Sequence, residues 1–446
     1  MLLDKKNLFL KPEIIISKDG HFNRRLLKNA ETNVENIKFD YLLSLIGVDS
    51  CAFAPSEGPL YLGIGDFVYS GETTKTGYLI DITENGIFIS GQNWKNVSDG
   101  LKMVINLLTF NDELPCAKIY DTPKISFRGI HMCVFKHDDG TVKEKTEPED
   151  IKKMLKLSAL CGYNYAFIEF WGMFPYKSRP YAVWEDAYSP ATVKELIDFA
   201  IDDLHITPVP VQNLTSHAAW SRISSRKHVV LDRHPEFEDM YIPGGWCFAT
   251  RNEKTKLFLK DVISELTKAF RNPPMFHCSC DKCFGFGSAE DERIYAADRL
   301  FEDHIKFLHD ELAKKNIRMV MWADMIYSEK DSLYWKASPE IADRLPKDIL
   351  MNIWTHRDIG DGNWNDTEFF KKRGFETVCS PFLDREGAKN MINLCEANKS
   401  LGLIQTTWHK PQTASETVAY SGAKLWNTEE PDMDVVEKAL LKWYSL

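Results

Sequence analysis

From residue 125 to its end this chain repeats one pattern, an apolar run of strand length followed by a stretch with helical periodicity. The apolar runs fall at residues 127–134, 165–170, 208–212, 275–280, 319–322, 350–354, 377–380 and 403–407. A strand buried on both faces reads as continuously apolar, so runs alternating with amphipathic helices specify parallel strands joined by crossover helices. Eight such units in about 320 residues fit a closed (β/α)8 barrel. A doubly wound open sheet is the alternative, although it rarely runs to eight consecutive units. Two helix starts are well marked. Thr146 with Glu149 three residues on forms a capping box, and Ser189-Pro190 places an N-cap before a proline at the first helical position.

Residues 1–124 read differently, as a small mixed α/β domain preceding the barrel of residues 125–446. Ile14-Ile15-Ile16 is a short buried strand. Residues 78–90 form a hairpin with Glu84-Asn85-Gly86 as its turn, and residues 96–108 an amphipathic helix. Pro115 and Pro123 bracket the expected linker. There is no low-complexity segment and no short-period repeat.

Several function classes are excluded. The net charge of −10 opposes nucleic acid as the main partner, because neutralising phosphates needs a basic face. No run of about 18 apolar residues is present, so no membrane span is expected. The N-terminus lacks an apolar signal-peptide core. The ten cysteines lie mostly in apolar segments (Cys133, Cys161, Cys379, Cys395), which suits reduced thiols in a cytoplasmic protein.

A barrel of this kind builds its active site at the C-terminal ends of its strands. Those ends here carry Glu169 and Trp171, His277 through Lys282, Trp322 and Asp324, Trp354 and His356, and Trp408 and His409. Indole is a poor choice for pure core filling, since its N–H needs a partner. Rings that pack on C–H faces, with carboxylates that hold hydroxyls, suit a sugar. The competing interpretation is that the tryptophans merely close the barrel top. A long excursion after the third strand, residues 213–248, carries His217, Arg222, Lys227, His228, Asp232 and Trp246. It suits a pocket wall or the contact of a homodimer.

Several segments resemble family 20 glycoside hydrolases. Asp121-x-Pro123 followed by Phe127-Arg128-Gly129-Ile130-His131 is similar to that family's approach to the first barrel strand. His277-Cys278-Ser279-Cys280-Asp281-Lys282 resembles its His-x-Gly-x-Asp-Glu signature, Trp322-Ala323-Asp324 its fifth-strand motif, and Ala423-x-x-Trp426 its closing tryptophan segment. The resemblance implies β-N-acetylhexosaminidase chemistry assisted by the substrate, whose 2-acetamido oxygen attacks C1, an exception to the two-carboxylate scheme. It implies that Asp281 orients the acetamido group beside the signature histidine, His277, while His277, His217 of the excursion, Trp171, Trp322, Trp354 and Trp408 of the strand ends, and Trp426 are expected to line the pocket. Lys136 stands where an arginine usually clamps the terminal sugar, and Cys133 where an aspartate is usual. Lys282 stands in the place of the general-acid glutamate. The proton would then come from Glu169 or Asp324, with Lys282 beside Asp281 in the catalytic set. No cofactor is implied, and the partner is an oligosaccharide or glycoconjugate. A degenerate relative that binds sugar without cleaving it, or a glycosidase of altered substrate, is the rival interpretation.

His277-Cys278-x-Cys280-x-x-Cys283 also has ligand-like spacing for zinc. On a regular strand, however, Cys278 and Cys280 would share one face, and His277, Ser279 and Asp281 the other, so the set would not converge. Packed thiols are the expectation, and no metal is assigned. His131 and His356 are expected as structural or pocket residues.

Overall fold

The computed structural model describes residues 3–54, 58–69, 72–74, 76–138, 143–219, 229–326, 337–354, 366–408 and 412–444. Seven strands form an N-terminal mixed sheet: β1 (Ile14–Asn23), β2 (Ala30–Thr32), β3 (Cys51–Phe53), β4 (Leu60–Ile64), β5 (Tyr78–Ile82), β6 (Ile87–Gly91) and β7 (Glu113–Asp121). Their order is β1-β7-β5-β6-β4-β2-β3. Eight parallel strands then close a barrel: β8 (Phe127–Cys133), β9 (Tyr165–Glu169), β10 (Thr207–Val211), β11 (Met275–His277), β12 (Arg318–Trp322), β13 (Leu350–Trp354), β14 (Thr377–Ser380) and β15 (Gly402–Thr406). β15 pairs in parallel with β8, and this closing pair excludes the open doubly wound sheet. Among the described residues, no helix is long and apolar enough to cross a membrane.

Side-chain alternation sets what faces the barrel axis. Phe127, Phe167, Val209, Met275, Val320, Leu350, Val378 and Ile404 form one buried apolar cluster at the lower level. Two residues further along the same strand faces stand Glu169, His277, Trp322, Asn352, Ser380 and Thr406, all nearly or fully buried. The register that fills the barrel bottom therefore delivers a polar and aromatic layer to its top.

The fourth barrel strand is shorter than the sequence suggests. It stops at His277, and Ser279, Cys280 and Lys282 then adopt left-handed backbone at φ 60°, 73° and 47°. The strand alternation argued for residues 277–281 thus does not apply. A second correction concerns Pro115 and the linker. Pro115 lies inside β7, opposite His21 at the register shift in β1 and beyond the last residue that β7 pairs with β5. A proline is tolerated where one neighbour has ended and the other is bulged. The helix Pro148–Leu160 begins one residue later than expected, with its capping box formed by Glu147 and Asp150. Thr146 instead accepts the Phe135 N–H and donates to the Cys133 carbonyl, pinning the end of β8. Ser189 does cap its helix, accepting the Thr192 N–H.

The helix Trp94–Phe110 lies on the N-terminal sheet, and Asn93 caps it through the Lys95 and Asn96 N–H groups. It also reaches the barrel. Asn106 donates to Leu160 O, Ser98 meets His205 Nδ1 at 2.7 Å, and Asp99 approaches Arg128 at 3.6 Å. Trp426 belongs to this junction and not to the pocket. Its Nε1 donates to Asp121 at 2.6 Å, the Arg128 guanidinium lies 5.1 Å from its ring, and Lys124 N–H donates to its carbonyl. Tyr78 donates its hydroxyl to the same Asp121 carboxylate at 2.7 Å. Burial is the largest influence on Asp121 and raises it to about 6, against the lowering pull of these donors. Trp426→Ala therefore costs about 3–5 kcal/mol of stability, the range for a fully buried aromatic. Chemical denaturation reads this loss, while KM for a pocket ligand stays unchanged in the folded fraction.

Candidate active site at the mouth of the barrel

Asp281 sits just past β11 and is almost completely buried. Its Oδ2 faces Lys282 Nζ at 3.1 Å and His217 Nε2 at 3.3 Å. The excursion after the third strand supplies His217, so part of it does wall this site. The same excursion fixes the turn. Ser216 Oγ donates to Asp281 O, and Trp246 Nε1 donates to Lys282 O at 2.6 Å. Trp246 also lies against His217, with ring centroids 4.5 Å apart. Arg222, Lys227 and His228 fall outside the described residues. Asp232 lies in the short helix Val230–Arg233.

Lys282 bridges charge and aromatic surface. Its ammonium lies 4.4 Å from the Trp354 ring centre and 6.0 Å from that of Trp408. A cation beside a carboxylate and over an indole face is stabilised twice. Asp324 completes the group. Its Oδ2 accepts the Lys282 backbone N–H at 3.2 Å, and its Oδ1 accepts the Trp354 Nε1–H at 3.1 Å. Burial, then the nearby Asp281 charge, raises the Asp324 carboxyl to about 6, against the opposing influence of Lys282. A carboxyl raised in this way holds a proton within reach of neutral pH.

His277 lies beneath. Its Nδ1 accepts the Ser279 N–H at 3.0 Å, and its Nε2 lies 3.2 Å from Asn352 Nδ2. Ser380 Oγ donates to the other end of Asn352. The histidine is thus a buried brace for the turn and not a ligand contact as expected. Trp322 stacks between His277 (4.6 Å) and Trp408 (6.0 Å) and is 2% exposed, which makes it the pocket floor. Trp354 and Trp408 are half-buried and keep accessible surface.

Glu169 lies on the neighbouring side of the mouth, 3.3 Å from His131 Nε2 and 3.4 Å from Cys133 Sγ. The His131 ring touches Trp408 at 5.0 Å. Lys136 takes a different position from the one expected. It belongs to the ribbon Lys136–Asp138, pairs with Asp186 at 2.7 Å and lies 4.9 Å from the Trp184 ring. The side chain of Trp171, and all of His356 and His409, lie outside the described residues.

The cysteines of the turn donate to backbone carbonyls. Cys280 Sγ reaches Cys278 O, and Cys283 Sγ reaches Cys280 O and Asp281 O. Burial pushes both thiols up, and that of Cys278 as well. Asn352 was missed from sequence, whereas Trp246 was read on the excursion as part of a pocket wall. Asn352 could have been found, because it lies two residues before Trp354 on the same strand face.

The profile of the glycosyl hydrolase family 20 catalytic domain matches residues 148–440. No curated protein matches this chain at a significant level. Solved structures do. Flavobacterium johnsoniae chitobiase is 17% identical with a TM-score of 0.75, over 99% of this chain and 73% of that one. A β-N-acetylhexosaminidase from Bacteroides fragilis is 17% identical with a TM-score of 0.71, over 98% and 95%. Streptomyces plicatus N-acetyl-β-hexosaminidase, solved with thio-NAglucal, is 15% identical with a TM-score of 0.72, over 99% and 96%. At such identities these structures establish the shared fold.

Proposed function

Because the chain belongs to glycosyl hydrolase family 20, we propose that it removes terminal N-acetylhexosamine from oligosaccharides or glycoconjugates by substrate-assisted, retaining hydrolysis. The observation that carries this reading is the Asp281 carboxylate, buried between His217 and Lys282 beside the accessible faces of Trp354 and Trp408. A carboxylate fixed in that way can accept the acetamido N–H and stabilise the positive charge that grows there as the acetamido oxygen attacks C1. The glycosidic C1–O bond breaks as that bond forms, and the leaving oxygen needs a proton.

Lys282, in the place of the family's general acid, has its ammonium ion-paired with Asp281 at 3.1 Å. Of the two carboxyls, Asp324 is favoured over Glu169. Burial and Asp281 raise it to about 6, and it lies within the Asp281–Lys282–Trp354 group, whereas Glu169 faces His131 and Cys133 on the neighbouring side of the mouth. Each Asp324 oxygen accepts one hydrogen bond in the protein and retains a second lone pair. The sign follows from the raised value. The acid form predominates below about pH 6 and is lost as pH rises through it, so kcat/KM falls on the alkaline side with that midpoint. Asp324→Asn removes that limb and leaves a low, flat profile on aryl N-acetylglucosaminide and galactosaminide. A limb that survives the substitution assigns the proton to another group.

One observation favours the rival reading of a sugar-binding relative: an ion-paired ammonium occupies the general acid's place. Tight binding of N-acetylhexosamine with no turnover of aryl or natural substrates would establish it. For the setting of the reaction we propose the cytoplasm, supported by the burial of nine of the ten cysteines as packed thiols.

A further inference from the structure

We propose that His131 Nε2, Cys133 Sγ and Glu169 Oε2 form a zinc site on the first two barrel strands, beside the Asp281 group and independent of it. The backbone makes the arrangement. His131 and Cys133 are two residues apart on β8 and so project from one face. Glu169 ends β9 directly opposite Cys133 in the parallel register. All three residues are at most 1% exposed.

The distances decide the matter. The nitrogen and the carboxylate oxygen are 3.3 Å apart, sulfur and oxygen 3.4 Å, and sulfur and nitrogen 3.8 Å. Tetrahedral zinc, with bonds of about 2.0–2.1 Å to nitrogen, about 2.3 Å to sulfur and about 2.0–2.2 Å to oxygen, sets the same pairs about 3.3–3.6 Å apart. The three atoms therefore already span one face of a tetrahedron, and an ion placed between them requires shifts of a few tenths of an ångström.

Donor type agrees with geometry. Thiolate, imidazole and carboxylate together select a borderline-soft dication over magnesium or calcium. Three protein ligands with a fourth position left over is the pattern of an open zinc site, able to take water or a hydroxyl. The frame is rigid, as a preorganised metal site requires. Thr407 holds the His131 carbonyl through both its N–H and its hydroxyl. Thr146 holds the Cys133 carbonyl, and the Val134 N–H holds that of Glu169. The Cys280 and Cys283 thiols, in contrast, already donate to carbonyls in the turn.

Titration of chelator-stripped full-length protein with cobalt(II), followed by competition with zinc, tests this. One equivalent of cobalt binds and gives a sulfur-to-cobalt charge-transfer band that zinc abolishes. Cys133→Ser removes the band, and Cys280→Ala keeps it. His131→Ala lowers zinc affinity by more than the roughly 10–100-fold that outer-shell partners are worth. Zinc also raises the melting temperature of the parent protein and not that of Cys133→Ser. A folded parent that binds no stoichiometric cobalt overturns the proposal, whatever the variants do. A band that survives in Cys133→Ser and vanishes in Cys280→Ala overturns it too, by moving the metal to the turn. Neither readout depends on hydrolysis, so loss of the glycosidase reading leaves this test intact.

Discussion

Replacing Lys282 by glutamate in the Asp324→Asn background raises cleavage of an unactivated N-acetylhexosamine disaccharide by about 10²- to 10⁴-fold, the range that general acid catalysis contributes, and by less where Asp324 already supplies the proton. The existing geometry prepares the site for it. The lysine ammonium lies 3.1 Å from Asp281 and 4.4 Å from the Trp354 ring centre. A carboxyl in that volume would meet the Asp281 charge, with an indole face beside it. A like charge and an apolar wall both favour the protonated form, so the new group would hold its proton toward neutral pH. With Asp324 in place, the backbone N–H of residue 282 would still donate to it. Aryl glycosides need little acid help and would gain far less. The ratio of disaccharide to aryl kcat/KM therefore isolates proton donation from any general improvement in binding. A variant that folds, binds sugar and leaves the disaccharide intact would show that the mouth lacks more than an acid.

Asp281→Asn acts in the opposite direction, with a loss of about 10²- to 10³-fold in kcat on aryl substrates, the scale of removing one preorganised group that stabilises developing charge. The substitution preserves shape while discharging a nearly fully buried carboxylate that faces His217 at 3.3 Å. A second readout is coupled to the first. The Asp281 charge is the second-largest influence raising Asp324, so its removal lets Asp324 ionise more readily and moves the alkaline limb to lower pH. A change confined to KM would reduce Asp281 to uniform ground-state binding and remove it from the transition state.

The barrel was legible in the sequence because its strands are buried on both faces and therefore continuously apolar. β13 and β14 coincide with the apolar runs, and most other strands differ from them by a residue at either end. The turn after His277 was not legible. Non-glycine residues at positive φ carry no local signal. This turn is held from outside, by Ser216, Trp246 and Asp324, whose partners lie roughly 35 to 65 residues away in the chain. β2 and β3 were missed because three residues show no periodicity. Among site residues, Asp281, Lys282, Asp324, His217, Trp354 and Trp408 converge at the mouth, because each is placed by a strand end or its loop. Trp426 and Lys136 do not. Their long side chains meet partners, Asp121 and Asp186, that no strand pattern reveals.

The junction built on Asp121 has a practical consequence for anyone shortening the gene. A polypeptide started at residue 125 would keep Arg128 and Trp426 and lose Asp99, Asp121 and the buried face of the helix Trp94–Phe110. A buried guanidinium left without its carboxylate, held only by the Gly162 and Ile125 carbonyls, and a bared indole favour aggregation over a soluble fold. Expression trials of the catalytic half alone should therefore yield inclusion bodies, and co-expression of residues 1–124 as a separate chain should return protein to the supernatant.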